Sequence, residues 1–272
     1  MALPQSFTRD GFLNLTLPVH QPKFRRLMIG SDGPAGSGKT EFALSAPAPG
    51  IGIFLDRGSD AVFDNPNPPP ARQSDFGYKV IYVPKVQQTD QNGFMTYWQN
   101  FYKEYIKALE NQDCRTVLID GDSDSWELQR LAAFGKLTQI PSILYTNVNA
   151  ARRAMIARAY DSGKIIIATN KISREYRTLH NPDGSPLLKD GREVREWDGK
   201  SYQRQGFSDQ DYLWHIQIRH LYRAATNEWG VKIMKCKIDP TLEEYELWGK
   251  DCNFPGLVQT VYPHISPREW GF

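Results

Sequence analysis

Cysteine is scarce in this 272-residue chain: Cys114, Cys236 and Cys252 are odd in number and share no paired spacing. That argues against a disulfide framework or a multi-cysteine zinc site and fits free thiols in a reducing compartment. No apolar run approaches the ~18 residues a membrane-spanning helix needs. The first residues, MALPQSFTRDGF, lack the charged start and apolar stretch of a secretory leader. An excess of one charge is missing too. Lys and Arg number 33 against 31 Asp and Glu, a formal net charge of +2, so a polyanionic partner would have to be met by local clustering. There is no internal repeat and no low-complexity tract. What is present is 40% hydrophobic and 12% aromatic residues, enough to build a core. The expectation is a soluble protein of the cytoplasm with no membrane partner.

The most informative stretch is GPAGSGKT: Gly33, Pro34, Ala35, Gly36, Ser37, Gly38, Lys39 and Thr40. It follows a strand-like segment ending at Ile29 and precedes a helix-forming run, Glu41 to Ala46. Strand, glycine-rich loop and helix is the context of a phosphate-binding loop. The glycines let successive backbone N–H groups turn toward phosphate oxygens, and the following helix start adds its positive dipole end. Lys39 is expected to reach the β- and γ-phosphates, and the Thr40 hydroxyl to ligate Mg²⁺. The cofactors this spacing points to are ATP, or another nucleoside triphosphate, and Mg²⁺.

Apolar strands alternate with helices through the first two thirds of the chain. Strands are expected at 51–56, 79–83, 116–120 and 164–168, and helices at 93–110, 126–137 (capped by Ser123 or Ser125) and 147–160. Continuous apolar strands between helices imply a parallel sheet covered on both faces. The pattern changes at 172–208, which carries turn signals at 181–184 and 190–191 but no sustained helical period. Beyond it, 212–222 and 231–238 alternate at period two about a turn at 227–230, which reads as an antiparallel hairpin. The domain reading is an N-terminal arm (1–22), a core (23–240) and a C-terminal flap (241–272). The fold class is α/β, a mostly parallel sheet flanked by helices with a C-terminal antiparallel hairpin.

Around a bound triphosphate, Asp120 at the end of the fourth strand is the candidate metal-side acid, with Asp122 and Asp124 close behind and the choice among them open. Asn170, ending the fifth strand, is placed to sense the γ-phosphate. Hydrolysis needs a group that orients or deprotonates water. Asp56 is the first candidate and Asp60 the second, both just after the second strand.

Phe54 to Asp64 (FLDRGSDAVFD), Val117 to Ser123 (VLIDGDS) and Val231 to Ile238 (VKIMKCKI), together with the phosphate loop, resemble the RecA-type recombinase ATPases. The chain resembles in particular the small phage-encoded members associated with single-strand annealing systems. The likeness spans roughly 25–245 and implies a RecA-like phosphate-loop core. It implies that Lys235 and Lys237 reach the γ-phosphate held by a neighbouring subunit, so that ATP lies at the interfaces of a ring or filament. Lys235 and Lys237 are expected on one strand face, together with Val231 and Ile233. One departure stands out: where the family carries a catalytic glutamate, two residues after Asp56, this chain has Gly58.

The resemblance also implies that the segment after Asn170 contacts single-stranded DNA, with a single-strand-binding or annealing protein as a further partner. From Ala151 to Leu179 there are seven basic residues against two acidic ones. The candidate DNA contacts are Arg152, Arg153, Lys171, Arg174, Arg177, Arg192, Arg195, Lys200 and Arg204, interleaved with Tyr176, Trp197, Tyr202 and Phe207. Cations for the phosphate backbone and ring faces for bases are what single-strand binding needs. Two other readings compete. In a nucleoside or nucleotide kinase, Arg174, Arg177, Arg192 and Arg195 would form a lid over a second substrate. In a nucleotide-switched DNA-binding module, Gly58 would leave little turnover.

Overall fold

The computed structural model describes residues 25–55, 58, 62, 78–83, 89–137 and 139–272. The expected N-terminal arm lies outside them. Eight described strands form one sheet in the order β12-β11-β10-β1-β5-β4-β2-β3. They are β1 (Leu27–Asp32), β2 (Gly50–Phe54), β3 (Tyr78–Tyr82), β4 (Thr116–Asp120), β5 (Ile165–Asn170), β10 (Ile216–Arg223), β11 (Glu228–Cys236) and β12 (Glu246–Trp248). From β10 through β3 the pairings are parallel, whereas β11 and β12 add antiparallel edges. The mixed α/β class, with a mostly parallel sheet, is as the sequence implied.

Burial on both faces explains the unbroken apolar strands: every residue of β1, β2 and β5 is buried. Period-two alternation sends Ile165 and Ile167 of β5 to one core, and Ile166 and Ala168 to the other. The first core is closed by α1 (Lys39–Leu44) through Phe42 and Leu44. The second is closed by α2 (Gln91–Glu110), α3 (Asp122–Phe134) and α4 (Tyr145–Asp161). Side chains such as Phe101 and Leu118, wholly removed from water, contribute about 2 kcal/mol each. Asp90 caps α2 by accepting the Gly93 N–H at 2.8 Å.

One local expectation changes. α3 begins at Asp122 after a left-handed Gly121 (φ 93°), so neither Ser123 nor Ser125 is its cap. The segment read as a C-terminal flap packs on one face of the sheet. Phe254, Leu257 and Val258 of α6 (Phe254–Val261), with Trp270 of α7 (Pro267–Trp270), belong to the first core. The Phe254 N–H donates to Ser45 Oγ at 2.8 Å, tying this segment to the end of α1.

Residues 172–208 are an ordered ribbon, where the sequence suggested a loop. β6 (Ile172–Thr178) pairs antiparallel with β9 (Arg195–Arg204), and β7 (Leu188–Lys189) with β8 (Arg192–Glu193) toward the tip. A short helix, α5 (Gln210–Leu213), returns the chain to β10.

Candidate functional site: a phosphate-loop cleft at the base of a β ribbon

The loop after β1 carries left-handed glycines at Gly36 (φ 69°) and Gly38 (φ 83°), where a side chain would be strained. Gly33 is needed for a different reason. A Cβ there would lie 2.9 Å from the Cβ of His220 and 2.7 Å from Ser37 Oγ. His220, on β10, buttresses the loop from beneath. Its Nδ1–H donates to the Ser37 carbonyl at 3.1 Å, so the bare Nε2 accepts the Ser31 hydroxyl at 2.9 Å. Burial, reinforced by the Lys39 cation, lowers the His220 pKa to about 3, and the imidazole is neutral.

Lys39 Nζ donates to the carbonyls of Gly33 (2.9 Å) and Pro34 (2.6 Å), folded over its own loop. Burial lowers its pKa, with Lys171 acting in the same direction and Asp120 and Asp32 opposing. Among the three candidate acids the geometry selects Asp120. Its Oδ2 accepts the Thr40 hydroxyl at 3.0 Å and its Oδ1 accepts the Thr169 hydroxyl at 2.6 Å. Thr169 Oγ in turn accepts the Gly121 N–H at 2.9 Å. The hydroxyl and carboxylate expected to hold Mg²⁺ therefore face each other already. β5 makes this possible, because it lies between β1 and β4 and brings Thr169 and Asn170 to the cleft. A cavity of about 740 Å³ spans the loop, Asp120, Thr169, Asn170, Lys171, Gly58 and Trp229, a volume that suits a nucleotide-sized ligand.

The other two acids do different work. Asp124 pairs with Lys171 at 2.6 Å at the exposed rim of the same cleft. Asp122 is buried against Arg152 at 2.5 Å, and its Oδ2 also accepts from Gln210 (2.6 Å) and Asn170 (3.4 Å). Burial alone would raise the Asp122 pKa, but Arg152, Gln210, Arg204 and Asn170 outweigh it and lower it. Arg152 is thus a correction to the sequence reading: it is 1% exposed, holds Asp122 and Ser125, and offers nothing to a polynucleotide. Arg204 is also turned inward, donating to Gln210, the Phe207 carbonyl and Asp211. It anchors the ribbon instead of lining its surface.

From Asn170 the network reaches the ribbon and the sheet edge. Asn170 Nδ2 donates to the Gln205 carbonyl at 3.4 Å, next to Arg204. Asp211, held by Arg204, accepts Gln217 Nε2 at 2.7 Å, and its carbonyl accepts Lys235 Nζ at 3.1 Å. Arg219 grips Asp32 through two bonds (2.7 and 3.0 Å) and donates to the Tyr202 carbonyl, a second tie between β1 and the ribbon.

Cross-strand register sorts the ribbon's residues. Arg174 opposes Tyr202, Tyr176 opposes Trp197 and Thr178 opposes Arg195 on one face. Arg177 opposes Glu196 on the other. Arg174 lies over the Trp197 ring at 4.5 Å, and Trp197 meets Tyr202 edge-on at 5.6 Å. Arg195 pairs with Glu193 at 3.2 Å, Arg192 and Lys189 face each other near the tip, and Lys200 sits in a turn pinned by Asp198. Arg153, on α4, pairs with Asp209 and lies over Phe207.

Lys235 and Lys237 do share a side, with Nζ atoms on the carbonyls of Asp211 and Tyr212. That side is not the one occupied by Val231 and Ile233. Ile218 pairs with Ile233 and Gln217 with Lys235, which leaves Met234 as a bulge that reverses the alternation. Partial burial and the neighbouring Lys235 lower the Lys237 pKa. Both lysines lie toward the end of the sheet away from their own phosphate loop: the Lys237 N–H bonds the carbonyl of His215, itself beside Met28. Asp56 and Asp60 lie outside the described residues, and Gly58 lines the cleft.

His220, Gln210, Arg219 and Trp229 were missed from sequence. Only His220 left a signal: a polar residue at a position that shares the parity of buried Ile216 and Ile218. As to class, the chain is a mixed α/β protein with a mostly parallel sheet and a cleft, lined by a glycine-rich loop, at the strand ends. No protein-family model matches it, and no curated protein does either. Among the described residues no helix is long and apolar enough to cross a membrane.

Proposed function

We propose that this chain is a RecA-like ATPase that binds single-stranded DNA along the ribbon in response to Mg²⁺-ATP. The observation that carries this reading is the continuity of Thr40, Asp120, Thr169 and Asn170 with the root of the ribbon at Gln205.

The loop N–H groups and Lys39 would hold the phosphates, and Thr40 and Asp120 the Mg²⁺. The bound nucleotide supplies the phosphoanhydride bond and the charge whose presence or loss is sensed. Lys39 then exchanges its carbonyl partners for phosphate oxygens. Asn170, whose Oδ1 is buried without a hydrogen-bond partner, adjusts its contacts to Asp122 and Gln205 according to what its neighbours hold. That shift reaches Arg204 and Asp211 and so both the ribbon and Lys235. The Arg174, Tyr176, Trp197 and Tyr202 face supplies a cation and rings for a single strand. Lys235 and Lys237, remote from their own loop, suit a phosphate on a neighbouring protomer.

A second reading, a nucleotide switch with little turnover, is favoured by one observation: the cleft position expected to carry a glutamate is Gly58. Oligonucleotide binding and phosphate release, measured with and without ATP in wild type and Lys39→Ala, test both. ATP-dependent DNA binding lost in Lys39→Ala is expected. DNA-stimulated phosphate release marks the ATPase, and binding without release marks the switch. Phosphorylation of a small acceptor, or no response of DNA binding to ATP, would overturn both.

A further inference from the structure

Tyr222 and Trp229 are directly opposed at the turn end of the β10–β11 hairpin, with ring centroids 4.4 Å apart. Tyr222 is pinned by its hydroxyl, which donates to Asn227 Oδ1 at 2.9 Å. Asn227 is a left-handed turn residue (φ 54°), so the pair is held by the turn itself. Strand parity puts both rings on the face of Val231 and His220, the side of the phosphate loop. Trp229 lines the same cavity as Gly33 to Glu41, yet is 40% exposed.

Its neighbour Trp248 makes a useful contrast. Trp248 packs flat on Gly230, where a Cβ would come within 2.5 Å of its ring, and Arg223 lies over it at 3.9 Å. The Trp248 ring is occupied by this fold. Trp229 has Tyr222 packed against it at a tilt of 36° and otherwise faces the cleft and solvent.

The cleft has a direction. Asp120, Thr169 and Asn170 stand on the β4–β5 side of the loop and mark where the terminal phosphate and metal would sit. The nucleoside end of a bound triphosphate must then leave on the opposite side, toward β10 and β11, where Trp229 stands. We propose that the Trp229–Tyr222 pair is a nucleobase platform that completes the site for a nucleoside triphosphate. A base laid on the indole buries two apolar faces and needs no base-specific hydrogen bond, so the platform selects nucleotides over bare polyphosphates. Because the rings are packed together and pinned beforehand, little side-chain freedom is lost on binding.

This inference rests on the proposed nucleotide site, and the test separates the two. Affinities for ATP and for inorganic tripolyphosphate, both with Mg²⁺, are measured by calorimetry for wild type, Trp229→Ala and Trp229→Phe. Trp229→Ala should weaken ATP roughly 5- to 150-fold, the range seen for base–aromatic stacking, and leave tripolyphosphate unchanged. Trp229→Phe should retain most of the ATP affinity. The partial exposure of Trp229 makes both variants compatible with folding, which urea denaturation checks. ATP binding that is indifferent to Trp229→Ala, or weakened equally with tripolyphosphate, overturns the platform alone. A wild-type protein that binds neither ligand overturns the nucleotide site and the platform with it.

Discussion

Replacing Arg152 by methionine should be among the most damaging single changes away from the cleft. Arg152 and Asp122 have side chains only 1% and 3% exposed and meet at 2.5 Å. Methionine would fill much of the space but leave the Asp122 carboxylate buried with only the neutral groups of Gln210, Asn170 and Ser125 as partners. Breaking a buried pair from one side costs about 3–5 kcal/mol, a large share of the ~5–15 kcal/mol that holds a domain folded. At this chain length that is a drop in melting temperature of roughly 6–10 °C. The pH dependence carries the diagnosis. In wild type the Asp122 pKa is lowered on folding, so its contribution is complete above the unfolded value and lost as pH falls through the folded one. In the variant burial prevails and the folded pKa rises above the unfolded one, so the deficit is greatest near neutral pH and shrinks as the carboxyl protonates. Asp122→Asn in the Arg152→Met background should recover at least half of the loss. Urea denaturation at several pH values measures all of this. A single variant within ~1 kcal/mol of wild type at neutral pH would refute the internal role of Arg152 and return it to the candidate DNA contacts.

The buried His220, with its pKa lowered to about 3, binds its proton in the unfolded chain first. Folding stability should therefore fall as pH drops below ~6.5, by up to ~1.4 kcal/mol per pH unit from this group. His220→Gln should flatten that slope in urea titrations between pH 7 and 5; an unaltered slope would exclude a neutral buried imidazole. Lys235→Ala and Lys39→Ala should each depress ATP turnover, yet partly restore it when mixed, because an assembly of the two contains some intact interfaces. Strictly additive loss across mixing ratios would count against action between protomers. Arg174→Ala with Arg177→Ala should reduce the salt dependence of single-strand binding, by a log–log slope of roughly 0.7 per lost phosphate contact. An unchanged slope in a fluorescence titration would remove the ribbon from the DNA interface.

Much of this was legible before any coordinates. GPAGSGKT specifies its own loop because glycines at fixed spacing decide the backbone locally. The apolar runs at β2, β4 and β5 declared a covered parallel sheet, since strands buried on both faces have no polar alternation to show. Asp120 was identifiable as a strand-end acid, but choosing it over Asp122 and Asp124 was not. Nearby residues at a strand-to-helix junction point in unrelated directions, and only the start of α3 at Asp122 sends one carboxylate to the Thr40 hydroxyl, one inward and one to the exposed rim of the cleft. Arg152 looked like its basic neighbours because burial leaves no mark on a side chain whose counter-ion lies thirty positions away in the chain. The faces of Lys235 and Lys237 were misjudged relative to Val231 and Ile233 because a one-residue bulge at Met234 reverses parity, and pairing partners create bulges. Local chemistry thus writes loops, periods and termini into the chain. Charge partners, strand order and the base platform arise when distant segments meet, where burial and register depend on residues far away in sequence.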